Sequence, residues 1–220
     1  MPIARLPVLV LAVLALAAAG CGGDDDEPTA EGATTSSEGC VTRDQPEPRE
    51  DGGATAPEGQ LDPGTTYALV VATNCGSFTI TLDQRSAPET AASLVALARD
   101  GFFDGTSFHR VVPGFVIQGG DPTGTGTGGP GYKTVDPPAQ DAAYTRGVVA
   151  MAKAGNEPPG TSGSQFFVVT GADAGLPPDY AVVGTVTAGL DTVMEIDGLG
   201  VGDGPPSMPV VIDQVTVEES

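Results

Sequence analysis

Two segments of this chain alternate short apolar runs with glycine so closely that they favour short strands joined by turns. The first is FFDGTSFHRVVPGFVIQGGDPTGTGTGG, residues 102–129, and the second is MAKAGNEPPGTSGSQFFVVTG, residues 151–171. Alternation of apolar and polar side chains is typical of half-buried strands, and glycine lets the backbone turn where other residues are strained. With 32 glycines and 20 prolines in 220 residues, the composition also favours turns over long helices. We therefore expect a mainly β domain.

The first twenty residues have the pattern of an export signal. Arg5 precedes an apolar run, residues 6–19, that is too short to span a membrane as a helix. Residues 18–21, AAGC, resemble a bacterial lipobox, in which the thiol of Cys21 takes a lipid. Because Ala18 stands where the lipobox usually has Leu, a plain secretory signal with a chance cysteine is the alternative. Both predict export, and lipidation would anchor the protein on the extracytoplasmic face of the cell membrane.

Residues 21–60 carry this lipidation site and a polar, acidic segment. Eleven Asp and Glu stand against two Arg in residues 22–60, and low hydrophobicity with excess charge predicts a disordered tether. The acidic run at residues 24–27 lacks the spaced ligands and the glycine of a calcium-binding loop. Residues 61–220 are then the folded domain. The formal net charge of −20 disfavours nucleic-acid binding and leaves the lipid as the expected membrane contact.

The sequence contains three cysteines, and Cys21 is considered separately from Cys40 and Cys75. If Cys21 is acylated, Cys40 and Cys75 remain as an even pair in an oxidising compartment. Cys75 lies in the expected hairpin turn TNCG, residues 73–76, and the tether that carries Cys40 is long enough to fold back to it. We expect a disulfide between them, with two free thiols as the alternative. With one histidine and no CxxC, a zinc site is disfavoured, and we expect no metal or cofactor.

The remaining pattern predicts eight strands and two helices. One helix should begin after Ser86 as its cap, with Pro88 near its start and Gly101 at its end. The second helix is expected at residues 190–196. The expected strands are residues 67–72, 77–82, 107–112, 115–119, 147–152, 165–170, 181–186 and 210–217. Eight strands with two helices predict a closed antiparallel barrel capped by the helices, which removes free sheet edges.

The run FHRVVPGFVIQGGDP, residues 108–122, and the segment at 151–171 together resemble the active site of the cyclophilins. The resemblance extends over roughly residues 66–217, nearly all of the expected folded domain. It implies a peptidyl-prolyl cis/trans isomerase with the barrel architecture and no cofactor. The implied partners are proline-containing segments of exported proteins, and we expect a monomer.

The resemblance implies that Arg110 and Gln118 are catalytic. Arg110 would donate a hydrogen bond to the prolyl nitrogen and draw its lone pair out of conjugation as the amide twists; its guanidinium is always charged. Gln118 would hold the substrate carbonyl or steady Arg110. The implied substrate-binding residues are Phe115, Val116, Gly126, Ala152, Lys153, Ala154, Gln165, Phe167, Leu176 and Tyr180.

Competing interpretations of single motifs are weaker. GTGTGG at residues 124–129 matches the dinucleotide-binding pattern, but Pro130 follows it and no helix is expected there. A serine hydrolase built on Ser162 or Ser164 lacks the nucleophile elbow and a placed histidine. His109 should point to the strand face opposite that of its neighbour Arg110, which predicts a structural role for the histidine.

One alternative function remains open. The domain could be a cell-envelope module that binds proline-containing segments with little turnover. Such a module needs the apolar pocket but not the donor, so the joint presence of Arg110 and Gln118 favours the isomerase.

Overall fold

In the computed structural model, residues 39–220 are described; the predictions for the signal, for Cys21 and for the tether up to residue 38 lie outside the described residues. The strands are β1 (Tyr67–Thr73), β2 (Gly76–Leu82), β3 (Arg110–Val112), β4 (Val116–Gly119), β5 (Thr134–Val135), β6 (Val148–Met151), β7 (Thr161–Ser162), β8 (Phe166–Val169), β9 (Val182–Ala188) and β10 (Ile212–Glu219). The helices are α1 (Pro88–Arg99) and α2 (Leu190–Asp197). Neither of these helices has the length and apolar character needed to cross a membrane.

Eight of the strands form one antiparallel sheet in the order β10-β1-β2-β9-β6-β8-β4-β3, and β5 pairs separately with β7. The two end strands, β3 and β10, do not share a continuous ladder. Isolated bridges connect their surroundings instead, Ser107 with Val211 and Val111 with Gly204. The prediction of a mainly β, eight-stranded antiparallel fold with two helices is confirmed, while complete closure of the barrel stays a prediction.

The inner face of the sheet and α1 bury one large hydrophobic cluster. Along β1 every second residue, including Leu69 and Val71, is buried, which is the alternation that a strand with one core face requires. Helix α1 contributes Leu94 and Leu97 to the same cluster. A second, smaller cluster surrounds Phe167 on the other side of β4, β6 and β8. The sheet therefore separates the main core from the region that contains the candidate site.

Helix α1 is capped by a distant segment. Its N-cap residue is Ala87, which makes no side-chain cap hydrogen bond. The carboxylate of Asp136 instead accepts hydrogen bonds from the backbone nitrogen and the hydroxyl of Thr90, both at 2.7 Å. The predicted Ser86 cap is therefore wrong. The physical reason is that Ser86 belongs to the preceding turn, where its backbone nitrogen donates to Asp83 Oδ1 at 3.1 Å.

Residues 39–60, here called the N-terminal arm, contain neither helix nor strand. A disulfide joins Cys40 to Cys75, at the turn between β1 and β2. Next to it, Val41 and Asn74 are joined twice, by Val41 N to Asn74 O at 2.7 Å and by Asn74 Nδ2 to Val41 O at 2.6 Å. The start of the arm is thus fixed to the first hairpin covalently and by hydrogen bonds.

Further along, the N-terminal arm lies against the loop that follows β4. Arg49 N donates to Pro122 O at 2.9 Å, and Ala54 N donates to Pro130 O at 3.0 Å. The ordered unit therefore begins before the predicted domain boundary at residue 61, which is a correction for residues 39–60. Composition predicts disorder there because a polar, acidic segment gives no sign of the backbone contacts that hold the arm.

Candidate active site

Two adjoining cavities lie beside the second hydrophobic cluster. The first cavity has a volume of about 220 Å³ and the second about 300 Å³. The first is lined by Arg110, Phe115, Val116, Gln118, Ala152, Lys153, Phe167, Leu176 and Tyr180. The second is lined by Gln118, Gly126, Thr127, Gly128, Lys133, Ala152, Lys153, Ala154, Glu157, Gly163, Ser164 and Gln165. The structure thus places all twelve predicted catalytic and substrate-binding residues around these two cavities, while their roles stay predictions.

Strand register explains how Arg110 and Gln118 meet. Arg110 of β3 pairs with Gln118 of β4, which pairs with Phe167 of β8, which in turn pairs with Ala150 of β6. Side chains directly opposite each other on neighbouring strands share one face of the sheet. Arg110 Nη1 accordingly donates to Gln118 Oε1 at 3.3 Å. This row of residues across four strands therefore brings Arg110, the predicted donor, close to Phe167.

The guanidinium of Arg110 is held by a second partner that the sequence analysis did not find. Asp203 accepts Nε–H at 2.6 Å with Oδ1 and Nη2–H at 3.1 Å with Oδ2. The hydrogen bond from Arg110 lowers the pKa of Asp203, so this carboxylate is charged at neutral pH. With Gln118, described residues occupy three of the five guanidinium N–H groups, which leaves one on each terminal nitrogen for a ligand.

A chain of side-chain amides continues from Arg110 into the second cavity. Gln118 Nε2 donates to Gln165 Oε1 at 3.0 Å, and Gln165 Nε2 donates to the backbone carbonyl of Gly128 at 2.8 Å. Each amide uses its oxygen and its nitrogen in opposite directions, so the orientation of one fixes the orientation of the next. The position of Gly128 therefore bears on the position of Arg110.

Aromatic packing forms the wall of the first cavity. The side chain of Phe167 is buried, with its ring edge-on to Tyr180 at 5.6 Å and tilted against Tyr144 at 6.5 Å. The Tyr144 hydroxyl donates to Tyr180 O at 2.7 Å and accepts from Tyr180 N at 3.1 Å. Burial raises the pKa of Tyr144, which keeps this hydroxyl protonated as a donor. Tyr144, which sequence reasoning missed, thus fixes the segment that carries Tyr180.

Lys153 supports the boundary between the two cavities. Its side chain is only 3% exposed, and Nζ lies 2.7 Å from Asp179 Oδ2. Nζ also donates to Glu157 O at 3.0 Å and lies 5.6 Å from the centre of the Tyr180 ring. These contacts engage the ammonium with the segment around Glu157 and with Asp179 and Tyr180, so the side chain connects the two segments of the cavity wall.

Asp121 organises the glycine-rich loop over the second cavity. Its buried carboxylate accepts backbone N–H groups from Thr123 at 2.7 Å, Gly126 at 2.5 Å and Gly128 at 3.3 Å. Burial alone raises the pKa of Asp121, but these hydrogen bonds outweigh burial and the net shift is downward. Gly126 has φ +87°, a conformation that side chains disfavour. No helix begins here, so the loop does not form a dinucleotide site.

The serine and histidine side chains near the site do not form a hydrolase arrangement. Ser162 Oγ and Ser164 Oγ each donate to a backbone carbonyl, those of Gly160 and Gly120. Both ring nitrogens of His109 are buried and find no hydrogen-bond partner within residues 39–220. Neither serine is therefore activated by a base.

Comparison with known proteins agrees with this geometry. The family model described as cyclophilin type peptidyl-prolyl cis-trans isomerase/CLD matches residues 68–217. The chain is 41% identical over 177 residues to the peptidyl-prolyl cis-trans isomerase A of Mycobacterium tuberculosis, covering 70% of this chain and 94% of that protein. It is 40% identical over 168 residues to the probable peptidyl-prolyl cis-trans isomerase A of Mycobacterium leprae, covering 66% of this chain and 88% of that protein.

Solved structures give the same result. The crystal structure of a Cryptosporidium parvum cyclophilin type peptidyl-prolyl cis-trans isomerase superposes with a TM-score of 0.64 at 29% identity, covering 70% of this chain and 98% of that one. The same protein in the presence of the dipeptide Ala-Pro superposes with a TM-score of 0.63. The predicted family is confirmed, whereas the exported lipoprotein form stays a prediction. From its sequence, its sheet and its relatives, this chain belongs to the cyclophilin-type peptidyl-prolyl cis-trans isomerases.

Proposed function

We propose that this protein accelerates cis/trans isomerisation of the peptide bond before proline in exported or cell-envelope proteins, with Arg110 as the catalytic donor. The observation that carries the proposal is the placement of a clamped guanidinium beside the aromatic wall of the first cavity. Asp203 and Gln118 hold Arg110 from two sides, and two N–H groups are left for a substrate.

The chemistry asks little of the protein beyond this donor. The barrier to rotation is the partial double-bond character of the amide, about 18–20 kcal/mol. As the amide twists, the prolyl nitrogen becomes pyramidal and its lone pair becomes able to accept a hydrogen bond. A charged donor that interacts with this lone pair stabilises the twisted state more than either planar state, and only such differential binding raises the rate. Neither a base nor a bond-breaking step is required.

The first cavity offers a matching surface for the proline ring. Phe115, Val116 and Phe167 supply its apolar wall, and Leu176 and Tyr180 complete it. Burying an apolar ring against such side chains is favourable at roughly 25 cal/mol per Å². The Cryptosporidium relative solved in the presence of Ala-Pro supports a proline-containing ligand for this surface.

The second cavity suits the rest of an extended peptide. Its lining is mixed, with glycine backbone from the loop and the polar side chains of Gln118 and Gln165. An extended substrate would leave the proline ring in the first cavity and continue along these groups. The shared lining residues, Gln118, Ala152 and Lys153, make the two cavities parts of one groove.

We further propose that the protein is exported and anchored through lipid on Cys21, and that it acts as a monomer. The apolar N-terminal segment and the lipobox-like AAGC support export and lipidation. The disulfide between Cys40 and Cys75 also supports an oxidising compartment, because disulfides are rare in reducing cytosol.

Replacing Arg110 tests the catalytic assignment. Arg110→Ala should lower kcat/KM for a proline-containing peptide by about 100-fold or more, since removing one preorganised donor typically costs that much. Peptide affinity should stay within about twofold, because Arg110 acts mainly on the twisted state. A coupled proline isomerisation assay and titration calorimetry measure the two quantities.

Arg99→Ala is the matched control. Arg99 also makes an ion pair, with Glu219, but lies on α1 and lines neither cavity. The Arg99→Ala variant should leave turnover unchanged. Wild-type activity in Arg110→Ala would refute the assignment, and peptide binding without turnover in the unmodified protein would favour the binding module instead.

A further inference from the structure

One peptide group in the glycine-rich loop is held from two sides. The carbonyl of Gly128 accepts the hydrogen bond from Gln165 Nε2 at 2.8 Å. The N–H of the same peptide group belongs to Gly129, and it donates to Asp51 Oδ1 of the N-terminal arm at 2.7 Å. The Gly128–Gly129 amide therefore links the arm directly to the side-chain amides of the candidate site.

The arm and the loop are also in backbone contact immediately after this link. Gly52 N donates to Gly129 O at 2.9 Å, and Ala54 N donates to Pro130 O at 3.0 Å. A Cβ added to Gly131 would stand only 3.0 Å from Gly52 Cα, so the two backbones touch. Asp51 is thus presented to Gly129 by a paired segment rather than by a free chain end.

The orientation of this amide controls a series of hydrogen bonds. If the peptide plane rotated, the Gly128 carbonyl would turn away from Gln165, whose oxygen accepts from Gln118, whose oxygen accepts from Arg110. Glycine opposes rotation of its dihedral angles less than any other residue, and glycine stands on both sides of this peptide bond. A carboxylate on the N–H both fixes the plane and polarises the amide, which strengthens its carbonyl as an acceptor.

We propose that Asp51 is a positioning residue for the isomerase reaction, acting on Arg110 through the Gly128–Gly129 peptide, Gln165 and Gln118. The inference rests on the proposed catalytic role of Arg110. Asp51 lies outside residues 68–217, the part of the chain that matches the family model. On this proposal, the N-terminal arm contributes to the substrate groove although it lies outside the part of the chain that matches the family.

Three variants of the full-length protein test the proposal. Asp51→Ala removes the acceptor and should lower kcat/KM by about fivefold, mostly through kcat, in keeping with one exposed charge-assisted hydrogen bond. Asp51→Asn keeps an oxygen that can accept from Gly129 and should remain within about twofold of the unmodified protein. Glu50→Ala removes the same charge one residue away, from a side chain with no hydrogen-bond or ion-pair partner in the described part of the chain. It should leave kcat/KM unchanged.

A spectroscopic measurement separates this proposal from the proposed function. The side-chain ¹⁵N–¹H resonances of Gln165 Nε2 and Arg110 Nε should shift in Asp51→Ala and stay in place in Asp51→Asn and Glu50→Ala. Unshifted resonances in Asp51→Ala, or equal shifts in Glu50→Ala, would overturn the coupling. The proposal also fails if the resonances shift in Asp51→Ala while its kcat/KM stays unchanged, provided that Arg110→Ala lowers kcat/KM. If Arg110→Ala is fully active, the proposed function fails, while the resonances still report whether Asp51 orients Arg110.

Discussion

The two cavities of the groove are built in different ways. The first has an aromatic wall, in which the buried ring of Phe167 on β8 packs against the buried ring of Tyr144. The second has its roof on a loop, where glycine backbone is held by hydrogen bonds to Asp121 and Asp51. The first cavity therefore depends on packing and the second on electrostatics, so different substitutions should damage them.

The contrast also concerns distance along the chain. In the first cavity, strand pairing places Phe167, because its register puts Gln118 of β4 and Ala150 of β6 opposite this residue. The loop instead receives a carboxylate from the N-terminal arm, 78 residues away in sequence. Substitutions in the wall should lower global stability together with binding, whereas substitutions around the loop should act on the groove more locally.

The largest effect on stability is expected at the aromatic wall. Phe167→Ala should lower the free energy of unfolding by about 3–5 kcal/mol, because it removes a buried ring and leaves a cavity. It should also weaken peptide binding. Urea unfolding and calorimetric titration measure these effects.

Phe115→Ala provides the control for this prediction. Phe115 lines the same cavity but is only partly buried. Its truncation should weaken binding with a clearly smaller loss of stability. If Phe167→Ala were as stable as the unmodified protein, packing would not be what fixes the first cavity.

A medium effect is expected at the loop. Asp121→Ala removes a buried carboxylate that accepts three backbone N–H groups, and should cost about 1.5–3 kcal/mol of stability. Hydrogen exchange should accelerate at Gly126 and Gly128 but not at Phe167. Asp173→Ala is the control, because Asp173 accepts one exposed N–H, from Gly175. Equal acceleration at Phe167 would show that the two cavities are not separately stabilised.

The smallest effect is expected from pH, through His109. Gly126 of the loop covers this side chain: a Cβ at Gly126 would lie 3.7 Å from His109 Nε2. Burial lowers the pKa of His109, while the charge of Asp121 raises it in part and that of Arg110 lowers it further. The unfolded chain then binds more protons just below the ordinary pKa of 6.5. Stability should therefore fall as pH drops through about 6.5 towards the lower folded pKa.

Denaturation at a series of pH values between 7.5 and 5 measures this loss. His109 is the sole histidine among the 220 residues, so no other imidazole contributes in this window. His109→Leu should show a shallower decline over the same range. Asp121 acts at lower pH, since its lowered pKa means that its contribution disappears only in more acidic solution. Identical slopes for the two proteins would exclude His109 as the cause.

Much of the fold could be predicted because it depends on local pattern. The strand predicted at residues 77–82 corresponds to β2, Gly76–Leu82, since alternation of buried and exposed side chains is visible in sequence. Strands β5 and β7 were missed because two-residue strands contain no alternation. The cap of α1 was assigned wrongly because Asp136 lies 46 residues from Thr90.

The candidate site shows the same division. The row containing Arg110, Gln118 and Phe167 follows from strand alternation and from the resemblance to cyclophilins. Asp203 could not be found that way, because its contact with Arg110 spans 93 residues and only the folded sheet brings them together. For Asp51, an acidic and glycine-rich context predicts disorder, which conceals its contact with Gly129.

The disulfide at the start of the N-terminal arm has a mechanical consequence. A pull on the chain at residue 39 enters the domain at Cys40 and passes through the disulfide to Cys75, in the turn between β1 and β2. Residues 41–74 lie outside this covalent path, so tension bypasses Asp51 and its contact with Gly129. The disulfide therefore protects the loop over the groove from a force applied at the N-terminus. With the bridge reduced, the same force would peel the arm from the loop, one hydrogen bond after another.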